Sequence, residues 1–327
     1  WPYSVRTEIK KDLGEFPFPG FWGPAAGVST PQGPPDAASR WIAESAEWIE
    51  RKFTPTLNLV YLPHLDYNLQ RLGPQHPSVA TDLQRIDEIV GSLIDFFQGR
   101  SVQVLLLSEY GITAVDQPVH LNRLFRQQGW LTVKEELGRE LLDYGASRVF
   151  AVADHQVAHI YCNDRSLENA ARALIEKEGG VAEVLGGSAK RAAGLDHPRA
   201  GDLIAIAAER AWFTYYYWLD DQRAPDFART VDIHRKPGFD PVELFLDPAL
   251  PLAKARIAWR LLQKRMGFRM LMDVIPLDAT LVRGSHGRRP ENQLEWPVLI
   301  ASQPQSVTKP VIESTEIFEI LHRHVQG

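Results

Sequence analysis

Two short apolar segments flank a long amphipathic pattern, and this arrangement restricts the fold more than any other feature of the chain. The segments are 57–62 (LNLVYL) and 102–107 (VQVLLL). Between them, apolar residues recur three or four positions apart at Val79, Leu83, Ile86, Val90, Leu93 and Phe97. A strand–helix–strand unit with continuously apolar strands is typical of a parallel pair covered on both faces by helices. We therefore expect an α/β protein with a mainly parallel central sheet flanked by helices.

The rest of the chain adds further elements to this unit. Residues 1–35 are rich in Pro, Gly and aromatic residues and are expected to be irregular, as is the loop 63–77. Periodicity predicts strands at 148–153, 157–162, 202–207, 212–218 and 298–301. It predicts helices from residue 36 onward and at 166–177, 253–265 and 313–325. We expect one domain over 1–327, in which 114–280 contains a smaller irregular or antiparallel insertion.

Composition limits the classes of partner. The 327 residues carry a formal net charge of −5 with interspersed signs, which argues against a nucleic-acid polymer and fits a small anionic substrate. No apolar run approaches the roughly 18 to 20 residues that span a bilayer, so no membrane contact is expected. The lone cysteine, Cys162, excludes an intrachain disulfide and is interpreted as a core residue. A reducing, cytoplasmic location is therefore expected, whereas the oligomeric state is left open.

Two acidic residues follow the two apolar segments directly. Asp66 comes after 57–62 and Glu109 after 102–107, and ligands of open α/β sheets bind beyond the carboxyl ends of strands. A third candidate, His286, lies between Gly284 and Gly287, which allow close backbone approach. Taken alone, each carboxylate also fits a solvated loop, and His286 equally fits an exposed turn. If the two strands are neighbours, the carboxylates of Asp66 and Glu109 face the same crevice.

Three segments resemble one known family. Residues 59–74 (LVYLPHLDYNLQRLGP) are similar to the strand, turn and Asp-x-x-Gly-His-x-x-Gly-Pro motif of type I phosphodiesterases/nucleotide pyrophosphatases. Residues 104–112 (VLLLSEYGI) resemble that family's strand ending in Ser-Asp-His-Gly-Met, and 284–287 (GSHG) resemble its late His-Gly motif. The resemblance implies an alkaline-phosphatase-like fold and membership of the alkaline phosphatase superfamily.

The resemblance also implies two divalent cations, usually zinc. By position, Asp66, Gln70 and His286 correspond to the ligands of the first ion, and Glu109 and Tyr110 to ligands of the second. The resemblance, together with the strand-end rule, therefore implies that Asp66, Glu109 and His286 converge on one crevice. Gln70 and Tyr110 stand where the family has His, and Glu109 replaces an Asp. A Gln oxygen is a poorer zinc ligand than imidazole, and oxygen-rich donors favour magnesium, manganese or calcium over zinc. We expect at most one protein-bound ion, held by Asp66 and His286, to which a neutral Tyr110 phenol contributes little.

The family's nucleophile is not found in this chain. It belongs to an early strand that should precede these motifs, and no segment of residues 1–35 has that pattern; Thr30, before Pro31, is a weak candidate. We expect that the domain lacks an N-terminal segment that carries one strand of the sheet and the nucleophile; the alternative is that this branch of the family works without that segment. The catalytic residue is left unknown.

Three further residues are candidates for substrate binding. His64 shares the loop of the first motif, and His234 and Arg235 lie in VDIHRKPGFD, where a guanidinium suits an anionic group. That segment equally fits a charged surface loop. The implied function is metal-dependent hydrolysis of a phosphodiester or related phosphate or phosphonate ester. The alternatives are phosphoryl transfer or other chemistry on the same scaffold, and a non-catalytic binding protein with a degraded metal centre.

Overall fold

The computed structural model describes residues 3–17, 36–232, 234–303, 307 and 309–326. Contacts between residues divide the chain into two units. Unit 1 comprises residues 1–68, 76–111 and 292–327, and unit 2 comprises 69–75 and 112–291. Thr30 lies outside the described residues. The expectation of one domain with an insertion at 114–280 stays a prediction.

Helices and strands alternate irregularly along the chain. The helices are α1 (Tyr3–Leu13), α2 (Ala37–Phe53), α3 (His64–Leu72), α4 (Ser78–Gln98), α5 (Leu121–Gln127), α6 (Glu168–Ile175), α7 (Gly187–Ala192), α8 (Ala253–Arg265) and α9 (Ile317–Gln326). The strands are β1 (Leu105–Leu107), β2 (Thr113–Ala114), β3 (Gln117–Val119), β4 (Val133–Glu136), β5 (Arg139–Leu142), β6 (Val149–Asp154), β7 (Val157–Cys162), β8 (Val181–Gly186), β9 (Leu203–Ala207), β10 (Ala211–Phe213), β11 (Gly284–Ser285) and β12 (Leu299–Ala301). Short 3₁₀ turns include Asp226–Arg229, Pro241–Leu244 and Ala279–Leu281.

The core of unit 1 is formed by α2 and α4, whose apolar stripes meet. Its buried members are Ala43, Ala46, Ile86, Ile89, Leu93 and Phe97. The helix predicted from this spacing is confirmed as α4, and Ile86, Val90, Leu93 and Phe97 of the predicted stripe face this core, whereas Leu83 is 55% exposed.

The strand predicted at 57–62 is wrong for the described structure. The segment pairs with no described strand, although Val60 and Leu62 pack against the core of unit 1. Leu59 is 78% exposed and Tyr61 is 59% exposed, so side chains alternate between core and solvent. Such alternation is typical of an extended backbone with one buried face. An extended backbone of this kind does not require a hydrogen-bonded neighbouring strand. The expected parallel pair of 57–62 with 102–107 is therefore replaced by an antiparallel ladder of β1 with β12.

The expectation that residues 1–35 are irregular is wrong for Tyr3–Leu13, which form α1. This helix buries Ile9, and its last residues are followed by Gly14 with φ +83°, a usual helix ending. Its side chains contact α2: the indole of Trp48 donates to Asp12 at 2.9 Å, and Lys52 pairs with Glu8. The Pro and Gly that suggest irregular structure lie mostly beyond Leu13.

Unit 2 contains a four-stranded antiparallel sheet in the order β6–β7–β9–β8. The prediction that 148–153 and 157–162 are neighbouring strands is confirmed, since Val149 pairs with Cys162 and Asp154 with Val157. Cys162 is buried and free, as expected. Apart from β3 with β10, which are parallel, the ladders in the described part of the chain are antiparallel. The α/β class is thus present, with a smaller share of parallel pairing than the sequence predicts.

Three further ladders join the early part of the chain to its late part in nested order. Val119 in β3 pairs with Phe213 in β10, and Thr113 in β2 pairs with Ser285 in β11, both within unit 2. Leu107 in β1 pairs with Leu299 in β12 within unit 1. The late His-Gly motif is thereby attached to the segment that follows the second motif.

The aromatic run 212–218 is a strand only as far as Phe213. The remaining residues, Thr214–Trp218, are irregular, yet each has at most 1% of its surface exposed. A run that is buried on all sides does not need the alternation of a half-buried strand, so its hydrophobicity alone does not fix its secondary structure. It forms the centre of the unit 2 core.

None of the helices in the described residues is both long and apolar enough to cross a bilayer.

Candidate active site

The first motif forms a helix where the sequence predicts a loop. α3 begins at His64, directly after Pro63, and ends at Leu72, before Gly73 with φ +85°. Asp66 and Gln70 stand four residues apart, a spacing that puts two side chains on the same face of a helix. Asp66 and Gln70 therefore project from one face of α3.

In unit 1, Asp66 is paired with a residue of the second motif. The phenol of Tyr110 donates a hydrogen bond to Oδ1 of Asp66 at 3.2 Å, and Tyr110 is also hydrogen-bonded to Tyr61. Asp66 and Tyr110 are half-buried, whereas Glu109 is exposed. The two motifs, 44 residues apart in the chain, therefore meet through their side chains.

The pKa values of the Tyr61 and Tyr110 phenols are both raised. Burial raises the pKa of Tyr110, and the negative charges of Asp66 and Glu109 raise it further. The same three causes raise the pKa of Tyr61. In the metal-free chain, Tyr110 is therefore a hydrogen-bond donor to the Asp66 carboxylate.

In unit 2, Gln70 contacts a histidine that the sequence does not single out. His155 lies in the hairpin between β6 and β7 and is 5% exposed. Its Nδ1 lies 2.6 Å from Oδ1 of Asp154, and its Nε2 lies 3.3 Å from Oε1 of Gln70. The sequence suggests a satisfied residue beside a strand, because nothing local predicts a contact with a residue 85 positions away. The Asp-His pair at a strand end is the signal that could have indicated it.

His286 lies against the same histidine. The two ring centroids are 3.9 Å apart, and on another side His155 stacks on Phe239 at 4.4 Å. Burial lowers the pKa of His286 to about 3, and the neighbouring His155 contributes to the shift. His286 is thus a neutral, enclosed imidazole.

The backbone that carries His286 is bound to the end of α3. The amide of Arg283 donates to the carbonyl of Gln70 at 2.9 Å, and β11 starts at the next residue. A Cβ at Gly284 would lie 2.1 Å from the carbonyl oxygen of Leu69, so only glycine fits this position. The close approach expected of the glycines around His286 is found here.

The expected substrate-binding residues have other contacts. His64 is buried, its Nε2 lies 3.6 Å from Asp82, and burial lowers its pKa. Arg235 pairs with Asp226 at 2.8 Å and covers the ring of Phe227, and His234 is exposed. Their roles in substrate binding stay predictions, as do the metal-binding roles of the first- and second-motif residues.

The donors differ in how well they fit a divalent ion. No group of three or more His, Cys, Asp or Glu side chains in the described residues is placed to hold one. Asp66 and Glu109 offer carboxylate oxygens, and the negative charge of each raises the pKa of the nearby Tyr61. Such donors suit magnesium or manganese, which bind through one or two carboxylates and keep several waters. Gln70 and His286 do not fit a zinc site, because the ring of His155 is in contact with both.

Known proteins similar to this chain agree on one family. The sequence model of the family described as type I phosphodiesterase / nucleotide pyrophosphatase matches residues 22–240, a range that includes the first and second motifs. The pyrophosphatase/phosphodiesterase C725.05c of Schizosaccharomyces pombe is 30% identical over 87 residues, which are 24% of this chain and 18% of that protein.

Solved structures give the fold. Murine ectonucleotide pyrophosphatase / phosphodiesterase 5, in an inactive form in complex with AMP, aligns over 88% of this chain and 58% of its own, with TM-score 0.51 and 15% identity. Phosphonoacetate hydrolase from Sinorhizobium meliloti aligns over 69% of this chain and 54% of its own, with TM-score 0.41 and 17% identity. The chain thus spans little more than half the length of the murine structure. The expected alkaline-phosphatase-like α/β fold is confirmed.

Proposed function

Because this chain belongs to the type I phosphodiesterase/nucleotide pyrophosphatase family, we propose that it hydrolyses phosphodiesters or related phosphate or phosphonate esters. The observation that carries the proposal is the hydrogen bond between Asp66 and Tyr110, which joins the two motifs that resemble the family's metal-binding segments. The murine structure contains AMP, and a small phosphate-bearing substrate also suits the modest negative charge of this chain.

Asp66 and Glu109 are the proposed donors to a divalent cation, magnesium or manganese in preference to zinc. When bound, such a cation supplies Lewis acidity that stabilises negative charge on a phosphoryl group. The chain's own contribution is to orient the Asp66 carboxylate, which the Tyr110 phenol does by donating a hydrogen bond to it. Arg235 and His234 are proposed to meet the anionic substrate. The attacking group is not assigned.

Metal binding separates the role of Asp66 from that of Tyr110. We expect Asp66→Ala to abolish Mn²⁺ binding, because a ligand is lost. Tyr110→Phe removes a group that orients the ligand, so the affinity should fall by no more than about tenfold. Calorimetric titration of chelator-treated protein with Mn²⁺ measures both. Loss of binding in Tyr110→Phe equal to that in Asp66→Ala would mean that Tyr110 itself is a ligand.

Hydrolysis is tested with two chromogenic esters, bis(p-nitrophenyl) phosphate and p-nitrophenyl phosphate. With Mg²⁺ or Mn²⁺ present, release of p-nitrophenolate should be seen and should stop when EDTA is added. Asp66→Asn keeps the shape of the side chain and removes its charge, so kcat/KM should fall by about 100-fold. Asp87→Asn, on the exposed face of α4, is the matched control and should retain full activity.

The assay also distinguishes the proposal from its alternatives. A folded protein that binds AMP but releases no product from either ester would contradict hydrolysis and favour the non-catalytic binding protein. Transfer of the phosphoryl group to an added alcohol in preference to water would favour the alternative that the protein is a phosphoryl transferase.

A further inference from the structure

We propose that the imidazole of His155 takes the place of a metal ion between Gln70 and His286, which makes this part of unit 2 a metal-free cluster. This inference rests on the proposed function in one respect: the residues at the positions of Gln70 and His286 bind one metal ion in the family that this chain resembles. In this chain the two residues are linked by a side chain instead. His155 is within hydrogen-bonding distance of Gln70 and in ring contact with His286.

The nitrogen atoms of His155 are both engaged. Nδ1 faces the Asp154 carboxylate at 2.6 Å, and Nε2 faces the Gln70 carbonyl oxygen at 3.3 Å. Both ring nitrogens therefore have a partner in the protein, and the side chain of Gln70 is directed at the ring of His155.

The ring geometry also disfavours a shared ion. The rings of His155 and His286 are inclined by only 31° at a centroid distance of 3.9 Å. The lone pairs of an imidazole lie in the plane of its ring, so two rings this close together and inclined by so small an angle do not both aim a nitrogen at one point. Tetrahedral zinc needs ligands that converge.

The backbone holds the ring in this place. His155 has φ +56°, a left-handed conformation that is uncommon for a side chain other than Gly, Asn or Asp. Its carbonyl accepts from the amide of Phe213 at 2.7 Å, and the next amide, of Gln156, donates to the carbonyl of His286 at 2.8 Å. The backbone hydrogen bonds on either side of His155 and the packing of its ring on Phe239 hold the residue in this strained conformation.

The chain allows a direct test, because glycine accepts the backbone conformation of His155. The variant His155→Gly removes the ring without forcing the backbone to change, and Gln70→His restores an imidazole at the first-motif position. We expect the double variant Gln70→His/His155→Gly to bind Zn²⁺ about 100-fold more tightly than the unmodified chain, measured by calorimetric titration with ZnCl₂. Adding His286→Ala to this pair should remove the gain.

Two controls identify the source of any signal. His197→Ala removes an exposed histidine of unit 2 and should leave every zinc titration unchanged. Circular dichroism should show that the glycine variant keeps its helix and strand content, and free imidazole should raise its melting temperature by filling the opened space.

The opposite results would overturn the proposal. If the unmodified chain binds Zn²⁺ at this cluster and His155→Gly weakens that binding, His155 is a ligand. If the double variant binds no more tightly than the unmodified chain, the ring does not occupy an ion's place. Because these titrations measure zinc and not turnover, they remain informative even if no ester is hydrolysed.

Discussion

Replacing Lys236 by Met should lower the free energy of unfolding by about 3–5 kcal/mol, because it leaves two buried carboxylates without their counter-ion. The ammonium of Lys236 lies 2.8 Å from Asp240 and 2.6 Å from Glu243, and all three side chains are at most 2% exposed. Burial raises the pKa of Glu243, and Lys236 opposes that rise. Removal of the cation takes away the interaction that opposes this rise in the pKa of Glu243.

Urea unfolding followed by tryptophan fluorescence measures the change. The matched control is Arg235→Met at the preceding position, where the side chain is 43% exposed and pairs with Asp226. An exposed ion pair contributes little, so this variant should lose no more than about 1 kcal/mol. Adding Asp240→Asn and Glu243→Gln to Lys236→Met should recover part of the loss. Equal losses in Lys236→Met and Arg235→Met would show that the buried charges are not coupled as described.

Acidification should destabilise unit 2 through His120, by about 3 kcal/mol in the limit of full protonation in the unfolded chain. Burial lowers the pKa of His120 from 6.5 to about 4; the charge of Arg123 adds to this shift and that of Asp221 opposes it. The folded pKa lies below the unfolded one. Stability is therefore complete above pH 6.5 and falls as the pH decreases towards 4, where the folded state also takes up the proton.

The structure gives the reason for this shift. Nδ1 of His120 lies 2.7 Å from the hydroxyl of Thr214, and its ring stacks on Tyr216 at the wall of a cavity of about 430 Å³. His120→Gln keeps a polar group for Thr214 and removes the titration. The slope of unfolding free energy against pH should therefore be smaller in His120→Gln than in the unmodified protein, whereas His197→Gln should not change it. Identical slopes in all three proteins would assign the acid sensitivity to other groups.

The sequence predicts elements well where the pattern and the environment agree. The predicted bounds of the β6–β7 hairpin are close to the observed ones, because side chains in both strands alternate between fully and partly buried positions. The bounds of strand β9, which is buried almost throughout, and of helix α8, which has no fully buried residue, also agree with the prediction. In segment 57–62 exposed and partly buried side chains also alternate, yet the segment pairs with no described strand. An alternating pattern predicts which side chains are buried, but it carries no information on hydrogen-bond partners. The strand predicted at 212–218 is wrong beyond Phe213 for the opposite reason. These residues are buried on all sides, so no alternation of apolar and polar residues indicates their secondary structure.

The candidate site was predictable only as far as its motifs extend. The pairing of Asp66 with Tyr110 follows from two segments whose order and spacing resemble a family. The contacts of Gln70 were not predictable, because they depend on a hairpin residue with no motif around it. Long-range contacts of single side chains are fixed by the tertiary structure: the Asp-His pair at the end of β6 draws attention to His155, but it does not identify Gln70 as its partner.

Nested strand pairing gives the chain an order of assembly during synthesis. Each of β1, β2 and β3 is made early, but its partner is made late and in the reverse order. β3 can pair once residue 213 has left the ribosome, β2 must wait for residue 285, and β1 must wait for residue 299. Each inner closure shortens the effective loop that the next one must close. We therefore expect the ladder of β1 to form last, so that Glu109 and Tyr110, which follow it, are translated early and fixed in place late.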